Sequence, residues 1–130
     1  MPVNKERVML LVERLRDPNS KQHKGALRAS TRSKAMCCLG HGCEVYRVQT
    51  GEGKWKTEDG VFRFGRGKFV VGSEESTGVL PQIVANWYGF RFLDPDLFIN
   101  GKSETASSWN DNFGKTLAEI ADGFEALCNE

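Results

Sequence analysis

Cys37, Cys38, His41 and Cys43 lie within seven residues of one another, and their side chains are the ones that bind metals or attack carbonyl and phosphoryl centres. Zinc takes thiolate and imidazole ligands, but structural sites draw them as two separated pairs. Here the next cysteine is Cys128. On a helix Cys37 and His41 share a face, while Cys38 points about 100° away. A cysteine nucleophile needs a base beside it, and His23 and His41 are the only histidines. The cations that precede Cys37 would favour a thiolate. Without a paired ligand set or base, a free cysteine behaves as a small buried hydrophobe. All four are read as core thiols, with no metal, no cofactor and no catalytic residue expected.

The second feature with chemical content is the basic run Lys21, Lys24, Arg28, Arg32 and Lys34, which contains no acid. Exposed like charges repel by a few tenths of a kcal/mol per pair, which phosphates or carboxylates would relieve. The run is either a solvated basic loop or one side of an anion site. The stretch Gly60 to Lys68 falls short of a phosphate-binding loop, because no lysine directly follows its second glycine and strand residues follow the run. Asp94, Asp96 and Asp111 have no spacing diagnostic of acid–base work, and Asp94-Pro95-Asp96 reads as turn chemistry. Asn110 and Asp111 could serve the start of the last helix or a polar group of a ligand. Trp55, Trp87, Tyr88 and Trp109 fall near element boundaries. An indole beside a cation suits a nucleobase with its phosphate, and core packing is the alternative for each.

These residues need elements to position them. With 130 residues, the chain is long enough for one core without staples. Residues 1–34 carry nine Lys/Arg against three Asp/Glu, and residues 35–130 carry nine against fourteen. That asymmetry favours a local anionic partner over wholesale coating of nucleic acid. No apolar run is long enough for a membrane span, so no membrane is expected. The opening residues mix apolar and charged types, unlike a signal or transit peptide, and the thiols are expected reduced in a cytosol.

Val8, Leu11, Val12 and Leu15 keep helical spacing between a cap at Asn4 and a stop at Asp17-Pro18-Asn19. Residues 18–34 read as a long loop with a short strand at Ala26–Ala29 as an option. Met36, Leu39, Cys43 and Tyr46 predict a second helix over 36–48, with strand and turn as the alternative. Gly40 and Gly42 inside it each cost about 1 kcal/mol, which implies the close approach of another backbone or a ligand. Residues 51–71 read as a two- or three-stranded meander, with Phe62 and Phe64 on one face and Arg63 on the other, then Phe69 and Val71 in the last run. Pro81 suits the first turn of a short helix that ends at Gly89; residues 90–112 read mostly as loop, with a strand at Leu97–Ile99 as an option. Thr116 and Glu119 form a capping box ahead of Leu117, Ile120, Ala121, Phe124 and Leu127. The expected fold is α+β, one compact domain with a small antiparallel meander packed against about four helices.

The order of motifs carries a resemblance. Lys21-Gln22-His23-Lys24-Gly25-Ala26-Leu27-Arg28 is followed by Cys37-Cys38-Leu39-Gly40, then Cys43-Glu44. Leu80-Pro81, Val84, Trp87 and Gly89 come next, then Asn110-Asp111 and Glu119-Ile120-Ala121-Asp122. This pattern is similar to a widespread family of small, mostly uncharacterised proteins of tailed bacteriophages and prophages, over nearly the whole chain. His41-Gly42 stands where that family has small apolar residues, and Trp109 where it has leucine or methionine. The resemblance implies a phage source and a place in the host cytoplasm. The family pattern also has no recurring base for the cysteines. Phage genomes carry compact proteins that sequester nucleotide signals of host antiviral defence, and such a sponge needs cations and stacking groups without catalytic machinery. On that reading Lys21, Gln22, Lys24, Arg28 and Arg32 hold phosphate or ribose. Trp55 or Trp109 stacks the base, and Asn110 and Asp111 meet polar groups. Sponges are often oligomers with sites between subunits, which favours a homodimer. The competing expectation is a nucleic-acid- or host-protein-binding accessory protein that uses the basic loop 21–34.

Overall fold

The fold is α+β. The computed structural model describes residues 3–28, 34–58, 61–65, 75–76 and 78–130. Five helices and two small antiparallel sheets follow one another along these residues.

Helix α1, Lys5–Arg16, starts where Asn4 Oδ1 accepts from Arg7 N–H at 3.2 Å and stops at Asp17, whose extended backbone leads into Pro18. Val8, Leu11, Val12 and Leu15 are its buried residues. At about 1.5–3 kcal/mol per buried aliphatic side chain, that stripe outweighs any propensity term in the helix. Its cover is the last helix, α5, Leu117–Cys128, which opens with the expected capping box: Thr116 Oγ1 accepts from Glu119 N–H, and the Glu119 carboxylate accepts from Thr116 N–H. Arg16 ties the pair at its rim, donating to Asp122 at 2.8 Å and Glu125 at 3.1 Å.

Helix α2, Cys38–Thr50, begins two residues later than the apolar pattern suggested. Met36 is not helical, because its backbone is bridged on both sides by the preceding loop. Gly51 ends the helix in the left-handed region. Three strands follow: β1, Lys54–Glu58, β2, Val61–Gly65, and β3, Glu75–Ser76, hydrogen-bonded in that order. Trp55 sits opposite Phe64 in the register, and Phe64 is buried. The side chains of Phe62 and Arg63, and all of Phe69 and Val71, lie outside the described residues. Helix α3, Gln82–Tyr88, has Pro81 at its N-cap and the expected stop at Gly89. An aromatic chain joins meander to helices: Phe64 meets Tyr46, Tyr46 meets Trp87, Trp87 meets Tyr88, and Phe90 bridges Tyr88 to Phe124. Ring centroids along it are 4.9 to 6.5 Å apart.

The segment read mostly as loop holds more order than its pattern indicated. Strands β4, Asp96–Ile99, and β5, Lys102–Thr105, form a hairpin, and helix α4, Ala106–Asp111, follows directly. Asn100 and Gly101 both have positive φ, 52° and 81°, the signature of the two-residue type I′ turn that Asn-Gly favours. Leu97 and Ile99 face the core while Asp96 and Phe98 face out.

Candidate functional site

The basic loop is anchored along residues 20–28. Met36 N–H donates to Lys21 O at 3.0 Å, His23 N–H donates to Met36 O at 3.0 Å, and Cys37 N–H donates to Leu27 O at 3.2 Å. Met36 is thus held between the outgoing and returning arms of the loop, and Arg28 bridges it from the second arm. Ala29 of the optional strand lies outside the described residues. The loop closes on α2 so tightly that a Cβ at Gly40 would stand 1.8 Å from the Leu27 carbonyl oxygen. The close approach is therefore made by backbone. Gly42 differs, since a Cβ there would meet only side chains, at 3.6 Å or more.

Two buried polar groups hold this loop to the body. Asn110 is fully buried. Its Oδ1 accepts from Gln22 Nε2 at 2.9 Å and from Cys38 N–H at 3.2 Å. Its Nδ2 donates to His23 O and to Asp111 Oδ1, both at 2.8 Å. Asp111 Oδ1 also accepts from Gly25 N–H at 3.0 Å. The second group is His41, 1% exposed. Its Nδ1 accepts from Arg14 Nε–H at 2.9 Å, so its Nε2 carries the proton and donates to Lys21 O at 2.8 Å. Burial, with the Arg14 charge acting in the same direction, lowers its pKa to about 4. The imidazole is neutral near pH 7 and joins α1, α2 and the loop.

All four cysteines are free and buried, and Cys37 and Cys38 lie where the loop meets α2. Burial pushes Cys37 up to about 11 and raises Cys38 and Cys43 well above the usual thiol value. Cys37 caps α2, its Sγ accepting from Gly40 N–H at 3.4 Å, and Cys38 Sγ donates to Ala106 O at 3.5 Å. Among the described residues no three His, Cys, Asp or Glu side chains converge as metal ligands would.

No family model, curated protein or solved structure matches this chain. Its chemistry has to be read from its own side chains.

The residues singled out from the sequence fall into distinct groups. Gln22, Asn110 and Asp111 come together, but they bond to one another and to the loop backbone. Trp109 departs from the expectation of a stacking face. It is 3% exposed, its indole N–H donates to Leu97 O at 2.9 Å, and it completes the core between the hairpin and α4. Arg28 and Trp55 meet, with the guanidinium carbon 5.4 Å from the ring centroid. Lys21 and Lys24 are exposed on the same loop. Arg32 lies outside the described residues.

Sequence reasoning missed Glu44, which fixes Trp55. Its carboxylate accepts from the Trp55 indole N–H at 3.2 Å and from Arg47 Nη2 at 3.0 Å. Burial pushes its pKa up, but the hydrogen bonds from Arg47 and Trp55 outweigh that and hold it below the ordinary carboxylate value. Glu44 and Arg47 at i, i+3 were a readable helical pair, whereas nothing in the spacing pointed to Trp55. A groove of about 230 Å³ opens elsewhere, between Gly89–Asp96 and Leu127. None of the residues expected to bind ligand lines it, and it is smaller than the roughly 300–1,000 Å³ of common ligand pockets.

Proposed function

We propose that this chain is a phage-encoded, non-catalytic protein that binds an anionic nucleotide, sequestering a signal of host antiviral defence. The observation that carries the reading is the corner where Arg28 lies against Trp55, beside a loop that offers Lys21 and Lys24 to solvent. A guanidinium next to an indole suits a phosphate attached to a flat base. Asn110 and His41 anchor the described part of the loop at Lys21, Gln22 and His23, which limits the ordering that binding at those residues would cost. Thiols held protonated by burial supply no nucleophile, which favours capture over turnover. The phage setting comes from the family resemblance.

Thermal unfolding across cyclic and linear nucleotides tests this. A ligand at a hundred times its Kd adds about 2.7 kcal/mol. For a chain of this size that corresponds to about 10 °C in Tm. The shift is expected to vanish in Arg28→Ala and shrink in Lys24→Ala. No shift with any nucleotide would overturn the nucleotide reading.

A second reading has its own support. Gln22, Asn110 and Asp111 are engaged internally, so the loop's exposed charge is cationic with little polar specificity, which suits a nucleic-acid backbone. Three cations on phosphates would give a slope of about −3 for log K against log salt. A gel shift without that slope would remove this alternative.

A further inference from the structure

We infer that β5 pairs with β5 of a second copy of this chain, antiparallel and centred on Ser103, so that two hairpins form one four-stranded sheet. Among the described residues the hairpin is a two-stranded sheet in which β5 has β4 on one side only. In a two-residue hairpin the residues flanking the turn, Ile99 and Lys102, are the hydrogen-bonded pair, and bonding alternates from there. Lys102 and Glu104 therefore direct their backbone groups at β4, and Ser103 directs its N–H and C=O away from the sheet. Ser103 is exposed, and among the described residues its outward backbone groups meet no backbone partner, so they can exchange two hydrogen bonds with the same residue of a second copy.

Charge selects both the occupant and the register. Lysine on an edge strand normally discourages pairing. Here the order Lys102-Ser103-Glu104 reverses that effect. An antiparallel two-fold at Ser103 sets each Lys102 opposite the other chain's Glu104, at a non-hydrogen-bonded position where side chains are closest. The permitted neighbouring two-folds, at Lys102 or at Glu104, would set lysine against lysine or glutamate against glutamate. Within one chain Lys102 Nζ already stands 3.8 Å from Glu104 Oε1, and both side chains are part-exposed, so they lie on one face and can exchange partners across the axis. The edge is complementary to itself in one register, which is the requirement for an isologous dimer.

Sedimentation equilibrium of the full chain, from about 1 μM to about 500 μM, tests the pairing. The wild type is expected to pass from monomer to dimer across that range. Lys102→Glu and Glu104→Lys each place like charges opposite one another, and each is expected to raise the dimer Kd at least about tenfold. An equimolar mixture of the two variants restores both opposite-charge pairs and should dimerise like the wild type. Ser103→Pro removes an outward N–H while leaving the bonds to β4, so it should melt normally and stay monomeric. A wild type that is monomeric throughout, or a charge-variant mixture no better than its components, would overturn the proposal. So would a dimer unaffected by either charge variant. If Ser103→Pro fails to fold, the mixing experiment decides alone.

Discussion

Replacing Gly40 by alanine places a methyl carbon 1.8 Å from the Leu27 carbonyl oxygen and 2.8 Å from the carbonyl carbon. A comfortable contact is near 3.3 Å, so the loop must retreat by about 1.5 Å. That retreat breaks the Cys37 N–H to Leu27 O bond and strains the Arg28–Met36 bridge. Each buried backbone group left unpaired costs about 1–3 kcal/mol, while alanine returns about 1 kcal/mol of helix propensity. The net loss is about 2–4 kcal/mol. Gly42→Ala makes the same chemical change one residue pair further along. Its new methyl meets Leu80, Leu11 and Tyr88 at 3.6–3.7 Å, ordinary contact, so the propensity gain of about 1 kcal/mol is kept. Urea denaturation of both variants should move the midpoints in opposite directions at unchanged slope. Equal effects, within about 0.5 kcal/mol, would refute the claim that the loop backbone rests on α2 at Gly40. Gly40→Ala should also weaken any ligand held by Arg28, because the displaced arm carries that residue.

His41 makes stability depend on acid. Its folded pKa, about 4, lies below the ordinary 6.5, so the unfolded chain takes up a proton first. Stability from this group is full above pH 6.5 and falls as pH drops toward 4, by about 3 kcal/mol in all. Denaturation midpoints across that window should show the loss in the wild type and not in His41→Gln; parallel profiles would contradict it. Asn110→Ala removes four hydrogen bonds from one buried hub and should cost about 3 kcal/mol or more in chemical denaturation. A loss under about 1 kcal/mol would mean that water replaces the amide there. Arg16→Ala deletes exposed ion pairs and should cost at most about 1 kcal/mol, vanishing in molar salt.

The elements with local signals were legible from the sequence. The caps at Asn4 and Thr116, the stop at Gly89 and the stripe in α1 each rest on residues within a turn of one another, and the structure has them where expected. The hairpin was less visible, because strands of four residues give too little alternation, and Asn100-Gly101 was its one strong signal. The site was harder to read. Asn110 and Gln22 are 88 residues apart, and Arg14 and His41 are 27 apart. A polar residue's type shows that it needs partners, but not whether they come from the chain or from a ligand. Trp109 shows the same ambiguity for an aromatic, since only the position of Leu97 O makes it a core residue.

The pairing of α1 with α5 bears on how the chain is made. Arg16 meets Glu125 across 109 residues of sequence. At about 5–20 residues per second, a ribosome needs roughly 5–20 s to pass from one helix to the other. Through that interval the buried stripe Val8, Leu11, Val12 and Leu15 lacks α5, the main helix packed on α1, and has only α2 and α3 to meet. A state with α1 docked on α2 and α3 but without α5 leaves most of the packing on α1 unmade. Helix α1 is translated long before its main cover, so a chain cut before Leu117 should be a substrate for chaperones and proteases rather than a smaller working protein.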